Sequence, residues 1–177
     1  MLTQSTLVRV ETQVEAIPLL LSGATSEALM ARPVSGQWSA HENLAHLARH
    51  HEVFLERLHR ILAESAPQLG RYSAEEDSAW PEWSSLSVEE VLIRLKALRG
   101  EIISLVRGLS QAEAIRVGIH PLFGEMSLAL WVEFFLLHEA HHLYVVMTRP
   151  GHVKRSLSPK QLPRHMNEFA PPGQLNC

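Results

Sequence analysis

Two histidines, His138 and His142, stand one helical turn apart inside the stretch Leu128 to Met147, LALWVEFFLLHEAHHLYVVM. On a 3.6-residue period Trp131, Phe134, Phe135, His138, His142 and Val145 fall along one stripe. An imidazole in the middle of an apolar face needs a partner, because burying it without one costs roughly 1–3 kcal/mol. A divalent ion would serve both rings, and histidine nitrogens bind zinc, nickel, iron and copper. The spacing alone says little. Eleven histidines in 177 residues produce about one such pair from composition, and His46 and His50 share the same spacing. What raises the reading is the apolar stripe together with His46 on a second long helix. A bundle that sets the two helices face to face would complete a three-nitrogen site.

The same letters, His138-Glu-Ala-His-His142, satisfy the H-E-x-x-H pattern of zinc proteases, in which the glutamate activates water. The extended form of that motif would place glycine at 145 and histidine at 148, where this chain has Val145 and Thr148. The downstream glutamate, Glu168, lies in a proline-rich tail, and no strand pattern provides the sheet such enzymes carry. A zinc protease is therefore the lesser reading. Glu139 points about 100° around the wheel from His138 and is expected to be solvated or to orient a ligand ring.

Glu139 and His50 remain secondary candidates for proton handling. His50 and His51 otherwise read as a solvated helix face, and His141 as exposed or structural. His120-Pro121 reads as a simple turn or a cover over the metal mouth. Trp38 is expected to pack as an anchor beneath a helix cap, and Trp80 and Trp83 to form a lid or a dimer contact. Cys177, at the terminus, is expected to take no part in the chemistry.

Four helical periods must position these residues. The first runs from about Thr3 to Leu21, with Leu7, Val10, Val14 and Ile17 at helical spacing. Pro18 should kink it or end it near Ala16. A short turn at Ser26–Ala31 precedes a loop that delivers Trp38. Ser39-Ala-His-Glu42 has the form of a capping box, opening a second helix to about Ala66. Residues 67–86 combine two prolines, a glycine, three successive acids and two tryptophans. A connection of that length allows a crossover along the bundle. Ser87-Val-Glu-Glu90 caps a third helix reaching about Leu109. An irregular or briefly extended loop over 116–127 leads to Ser127, the N-cap of the fourth helix, which ends before Pro150. Residues 1–150 are thus expected to form one all-α four-helix bundle with a long crossover connection, and 151–177 an arm or tail.

Composition narrows the function classes. Apolar content of 46% and charged content of 20% fit an ordinary globular protein. A formal net charge of −3 gives no basic footprint for nucleic acid. The lone cysteine excludes a disulfide framework and a cysteine-built zinc site. The apolar stretch at 128–147 is interrupted by Glu133, His138, Glu139, His141 and His142, so no membrane span is expected. The N-terminal residues lack the pattern of a signal peptide, and a cytoplasmic location is expected.

Three blocks in order, Gly36-Gln-Trp38-Ser39…Glu42-Asn-Leu-Ala-His46-Leu, His120-Pro-Leu-Phe-Gly124 and His138-Glu-Ala-His-His142-Leu143, resemble the DinB-like superfamily. More narrowly, they are similar to the branch also fused to ergothioneine-type sulfoxide synthases. The resemblance spans roughly residues 5–149. It implies a four-helix bundle, often a homodimer, holding one divalent ion (zinc, nickel, iron or manganese) on three histidines, here His46, His138 and His142. It also implies a small-molecule or thiol substrate, with thiol S-transferases and metal-dependent hydrolases among the members. Val146 stands where the family often has glutamine, a departure that bears on substrate rather than metal. The alternative to an enzyme is a non-catalytic metal- or ligand-binding stress-response module.

Overall fold

Helix α4 (Ala40–Ala63) begins where Ser39 accepts from the backbone N–H of Glu42 while the Glu42 carboxylate takes the Ser39 N–H, the reciprocal cap expected from the sequence. Arg32 clamps that carboxylate from outside. The same device opens α6 (Val88–Gly108) at Ser87 and Glu90. Ser127 caps α8 (Leu128–Thr148) through the Leu130 N–H. The fourth long element is broken: α1 (Gln4–Thr12) passes through a 3-10 turn at Gln13–Ala16 into α2 (Ile17–Leu21). The break falls just before Pro18, which lacks an N–H and crowds the carbonyl four residues back. Short helices α3 (Ser26–Met30), α5 (Trp80–Ser85) and α7 (Gln111–Ala114) lie in the connections. This computed structural model describes residues 2–33 and 37–149. The expected arm at 151–177, with Cys177, and Gly36 of the first sequence block lie outside the described residues.

Contacts along the helices fix their directions. His46, His50 and Phe54 of α4 meet His142, His138 and Phe135 of α8 in turn, so these two run antiparallel. By contrast, α4 and α6 run parallel. The His41 ring meets the Leu86 carbonyl at their starts, Leu44 and Leu47 share a core cluster with Val91 and Leu95, and Leu58 and Ile61 share the next with Ile102 and Val106. Parallel neighbours need a connection as long as the helices themselves. Residues 64–87 provide it, and the chain is an all-α four-helix bundle with one long crossover. Arg9 pairs with Glu133 and Gln13 with Glu139, which sets α1 parallel to α8.

The crossover is more ordered than its composition suggests. It holds a 3-10 turn at Ala74–Glu76 as well as α5. Its Pro67–Leu69 segment exchanges backbone hydrogen bonds with Ile119, each 2.9 Å. That residue belongs to an antiparallel hairpin, β1 (Val117–His120) and β2 (Gly124–Ser127), where only an irregular or briefly extended loop was expected. Gly124 supplies the positive φ of its turn. At Gly118 a Cβ would lie 2.8 Å from Cγ1 of Ile61, so the strand approaches α4 where a side chain would not fit.

The core is divided along the bundle axis. One apolar cluster centres on Phe54, Leu58, Trp131 and Phe135. The other centres on Leu44, Leu47, Leu95 and Val146. Between them each of the four long elements contributes polar side chains: Gln13, His46 with His50 and His51, Arg99, and His138 with Glu139 and His142. Among the described residues no helix is long and apolar enough to cross a membrane.

Candidate metal centre

His138 and His142 project from successive turns of α8 and His46 meets them from α4. One ring nitrogen from each lies within 4.8 Å of the other two. The Nε2 atoms of His46 and His138 are 3.1 Å apart. Two nitrogens bound tetrahedrally to one zinc ion at 2.0–2.1 Å stand about 3.3–3.4 Å apart, so a shift of a few tenths of an ångström would fit these atoms to an ion. His46 is 4% exposed. Burial, followed by the charge of His141, lowers its pKa to about 4. Burial, then His46, lowers that of His142 to about 2. His138 is held well below its ordinary value, first by burial and then by His50. All three rings are therefore neutral near pH 7, the form that donates a lone pair to a metal. Among the described residues the buried Nδ1 atoms of His46 and His138 have no hydrogen-bond partner, whereas Nδ1 of His142 lies 2.9 Å from Oδ1 of Asn43.

Aromatic rings cover the cluster. Trp38 stands 5.0 Å from His46 between ring centres and is stacked on Trp80 at 5.1 Å. Tyr72, from the crossover, stacks on His46 at 5.6 Å. Burial and the neighbouring Asp77 carboxylate raise the pKa of its hydroxyl, which stays protonated. Trp38 thus sits over the histidines rather than serving only as an anchor under the cap. Trp80 takes the lid position. Trp83 does not join the lid: it is buried within the chain's own core with Arg94 against its ring.

Several other expectations are corrected. His50 and His51 are buried, not solvated. The His50 ring centre is 4.0 Å from that of His138, and its Nδ1 has no hydrogen-bond partner among the described residues. His51 Nδ1 donates to the Leu47 carbonyl at 2.7 Å, and its Nε2 lies 3.1 Å from Glu139. Glu139 is 0% exposed. It accepts from Gln13 at 2.8 Å and from Arg99, and among the described residues it shares no hydrogen bond with the three clustered rings. Burial alone would raise its pKa, but His51 and Arg99 outweigh that and hold it below the ordinary value. The carboxylate is thus buried and bonded to Gln13 and Arg99, unlike the solvated or ring-orienting group expected. His120 does not cover the metal mouth: its Nδ1 accepts from the Leu122 and Phe123 N–H groups in the hairpin turn, and its ring packs on Trp131. His141 is exposed, as expected.

Sequence reading passed over Asn43, Tyr72, Arg99 and Gln13. Arg99 and Gln13 did leave a signal, since each interrupts an apolar stripe at helical spacing, between Leu95 and Ile102 and between Val10 and Ile17. Tyr72, in an irregular segment, left none.

Comparison with known proteins agrees with this geometry. Two proteins of Oceanobacillus iheyensis, each named "Putative metal-dependent hydrolase", align with the chain. One is 25% identical over 150 residues, covering 85% of this chain and 82% of its own length. The other is 29% identical over 137 residues, covering 74% and 78%. Among solved structures, YfiT from Bacillus subtilis, described as a probable metal-dependent hydrolase with an unusual four-helix bundle topology, superposes with a TM-score of 0.70. It is 19% identical over 82% of this chain and 86% of that one. The four-helix bundle protein TT2238 gives a TM-score of 0.59 at 26% identity, covering 80% and 95%. The sequence profile of the DinB superfamily matches residues 9–146, and the chain belongs to that superfamily.

Proposed function

We propose that His46, His138 and His142 hold one divalent metal ion per chain and that the protein is a metal-dependent hydrolase of a small molecule. The observation carrying this reading is the convergence of three neutral imidazoles within 4.8 Å, with no carboxylate or fourth histidine in the group among the described residues. Structural zinc sites are closed by four protein ligands, whereas three leave a position for solvent or substrate. An all-imidazole donor set favours zinc, nickel or iron over manganese. The ion would supply Lewis acidity and acidify a water that reaches it. The chain's own residues do the rest. The two i,i+4 histidines and the facing His46 hold the ion at a fixed place between α4 and α8. His50, held neutral by burial and packed on His138, places an uncharged imidazole beside the site. Trp38, Trp80 and Tyr72 narrow the mouth and restrict water. The names of the Oceanobacillus relatives support hydrolysis over a purely binding role.

The test is turnover by zinc- or nickel-loaded protein on a panel of esters, amides and phosphoesters, with a parallel panel pairing thiols and electrophiles. Hydrolysis abolished by His142→Ala is expected. Turnover confined to the thiol panel would move the assignment to thiol S-transfer. Ligand-induced thermal stabilisation with no turnover on either panel would overturn catalysis in favour of a binding module.

A further inference from the structure

We infer that Asn43 is a positioning residue that fixes His142 as an Nε2 ligand, by holding its amide oxygen against the Nδ1–H of that ring. The inference rests on the metal-site reading above and adds to it which nitrogen is used and what enforces the choice. Asn43 is 2% exposed. Its Nδ2 donates to the Ser39 carbonyl at 2.8 Å, and its Oδ1 lies 2.9 Å from Nδ1 of His142. The two ends of an amide have nearly the same shape, so its orientation follows from its partners. A backbone carbonyl only accepts, so the NH2 end must face Ser39. The amide oxygen, which also only accepts, then faces His142. The ring nitrogen opposite it must therefore carry the proton. A neutral imidazole has one such proton, which leaves the lone pair on Nε2, the nitrogen then able to meet an ion shared with His46 and His138.

Ser39 is itself held in place. It is the N-cap of α4, locked by its reciprocal bonds with Glu42, and its carbonyl also accepts the Asn43 N–H at 3.1 Å. The start of one helix thus sets the ring orientation of a residue on another. Among the described residues, the other two rings lack this support, since Nδ1 of His46 and of His138 has no hydrogen-bond partner. His142 is accordingly the ligand whose tautomer is chosen before the metal arrives. Outer partners of this kind typically matter by about 10–100-fold in metal affinity.

The experiment measures zinc affinity by chelator competition on the full chain. Wild type is compared with Asn43→Leu, which removes the acceptor at similar volume, and with Asn43→Asp, which keeps an acceptor toward His142 but loses the donor to Ser39. Ring-nitrogen NMR on the metal-free protein reads the His142 tautomer. Expected are an Nδ1–H tautomer in wild type, about 10–100-fold weaker zinc binding with loss of the single tautomer in Asn43→Leu, and zinc binding closer to wild type in Asn43→Asp. Wild-type affinity in Asn43→Leu, equal weakening in both variants, or an Nε2–H tautomer in wild type would overturn the inference. The last readout needs no variant to fold. His46→Ala and His142→Ala serve as controls: if both bind zinc like wild type, the metal-site reading itself fails, a result distinct from a silent Asn43.

Discussion

A histidine enclosed in an apolar bundle refuses a proton that the same residue would accept in water near pH 6.5. For His46 that refusal persists down to about pH 4, and His50 and His138 are shifted in the same direction. Above about pH 6.5 folded and unfolded chains are both neutral at these sites, and their contribution to stability is complete. Below that the unfolded chain takes up protons that the folded chain does not. Stability of the metal-free protein should therefore fall with pH, by up to about 1.4 kcal/mol per pH unit for each such group. Urea unfolding at pH 7.5, 6 and 5 measures the slope, and an unchanged midpoint would contradict the assigned burial. The Arg99–Glu139 pair gives a second expectation at this scale. Arg99→Met should destabilise the fold by about 3–5 kcal/mol, because it leaves a buried carboxylate without its cation. Adding Glu139→Gln should recover part of the loss. Additive losses in a double-mutant cycle would show the two groups to be uncoupled.

At the scale of elements, the hairpin closes one end of the bundle through the near contact of Gly118 with Ile61. Gly118→Ala should destabilise by about 1–3 kcal/mol through overpacking, seen as a lower urea midpoint with an unchanged slope; no change would mean that the strand is free to move away. Helix starts were legible because capping is local chemistry: Ser39 with Glu42 and Ser87 with Glu90 declare themselves within four residues. The hairpin was not, since Val117–His120 is too short to show alternation and is held by Ile119 bonding across to Pro67 and Leu69, a long-range pairing. The three clustered histidines were legible from spacing and resemblance. The burial of His50, His51 and Glu139 was not, because it depends on α6 and α1 covering faces of α4 and α8 that look polar in isolation. Tyr72 reaches the cluster only because the crossover doubles back along α4.

Across the whole molecule, one polar layer drawn from all four long helices separates two apolar clusters, and the candidate metal site is the part of that layer nearest the aromatic mouth. Binding there should stabilise the native state by mass action, about 2.7 kcal/mol at a free metal concentration one hundred times the Kd. Thermal melts with and without zinc should therefore separate in wild type and coincide in His138→Ala. The most direct test of the central claim is elemental analysis of the purified protein against His46→Ala, His138→Ala and His142→Ala. About one equivalent of a first-row divalent metal in wild type, lost in each variant, is the result predicted from removing one ligand of three. Metal retained in all three variants, or none taken up by wild type from any first-row divalent supplied, would contradict it.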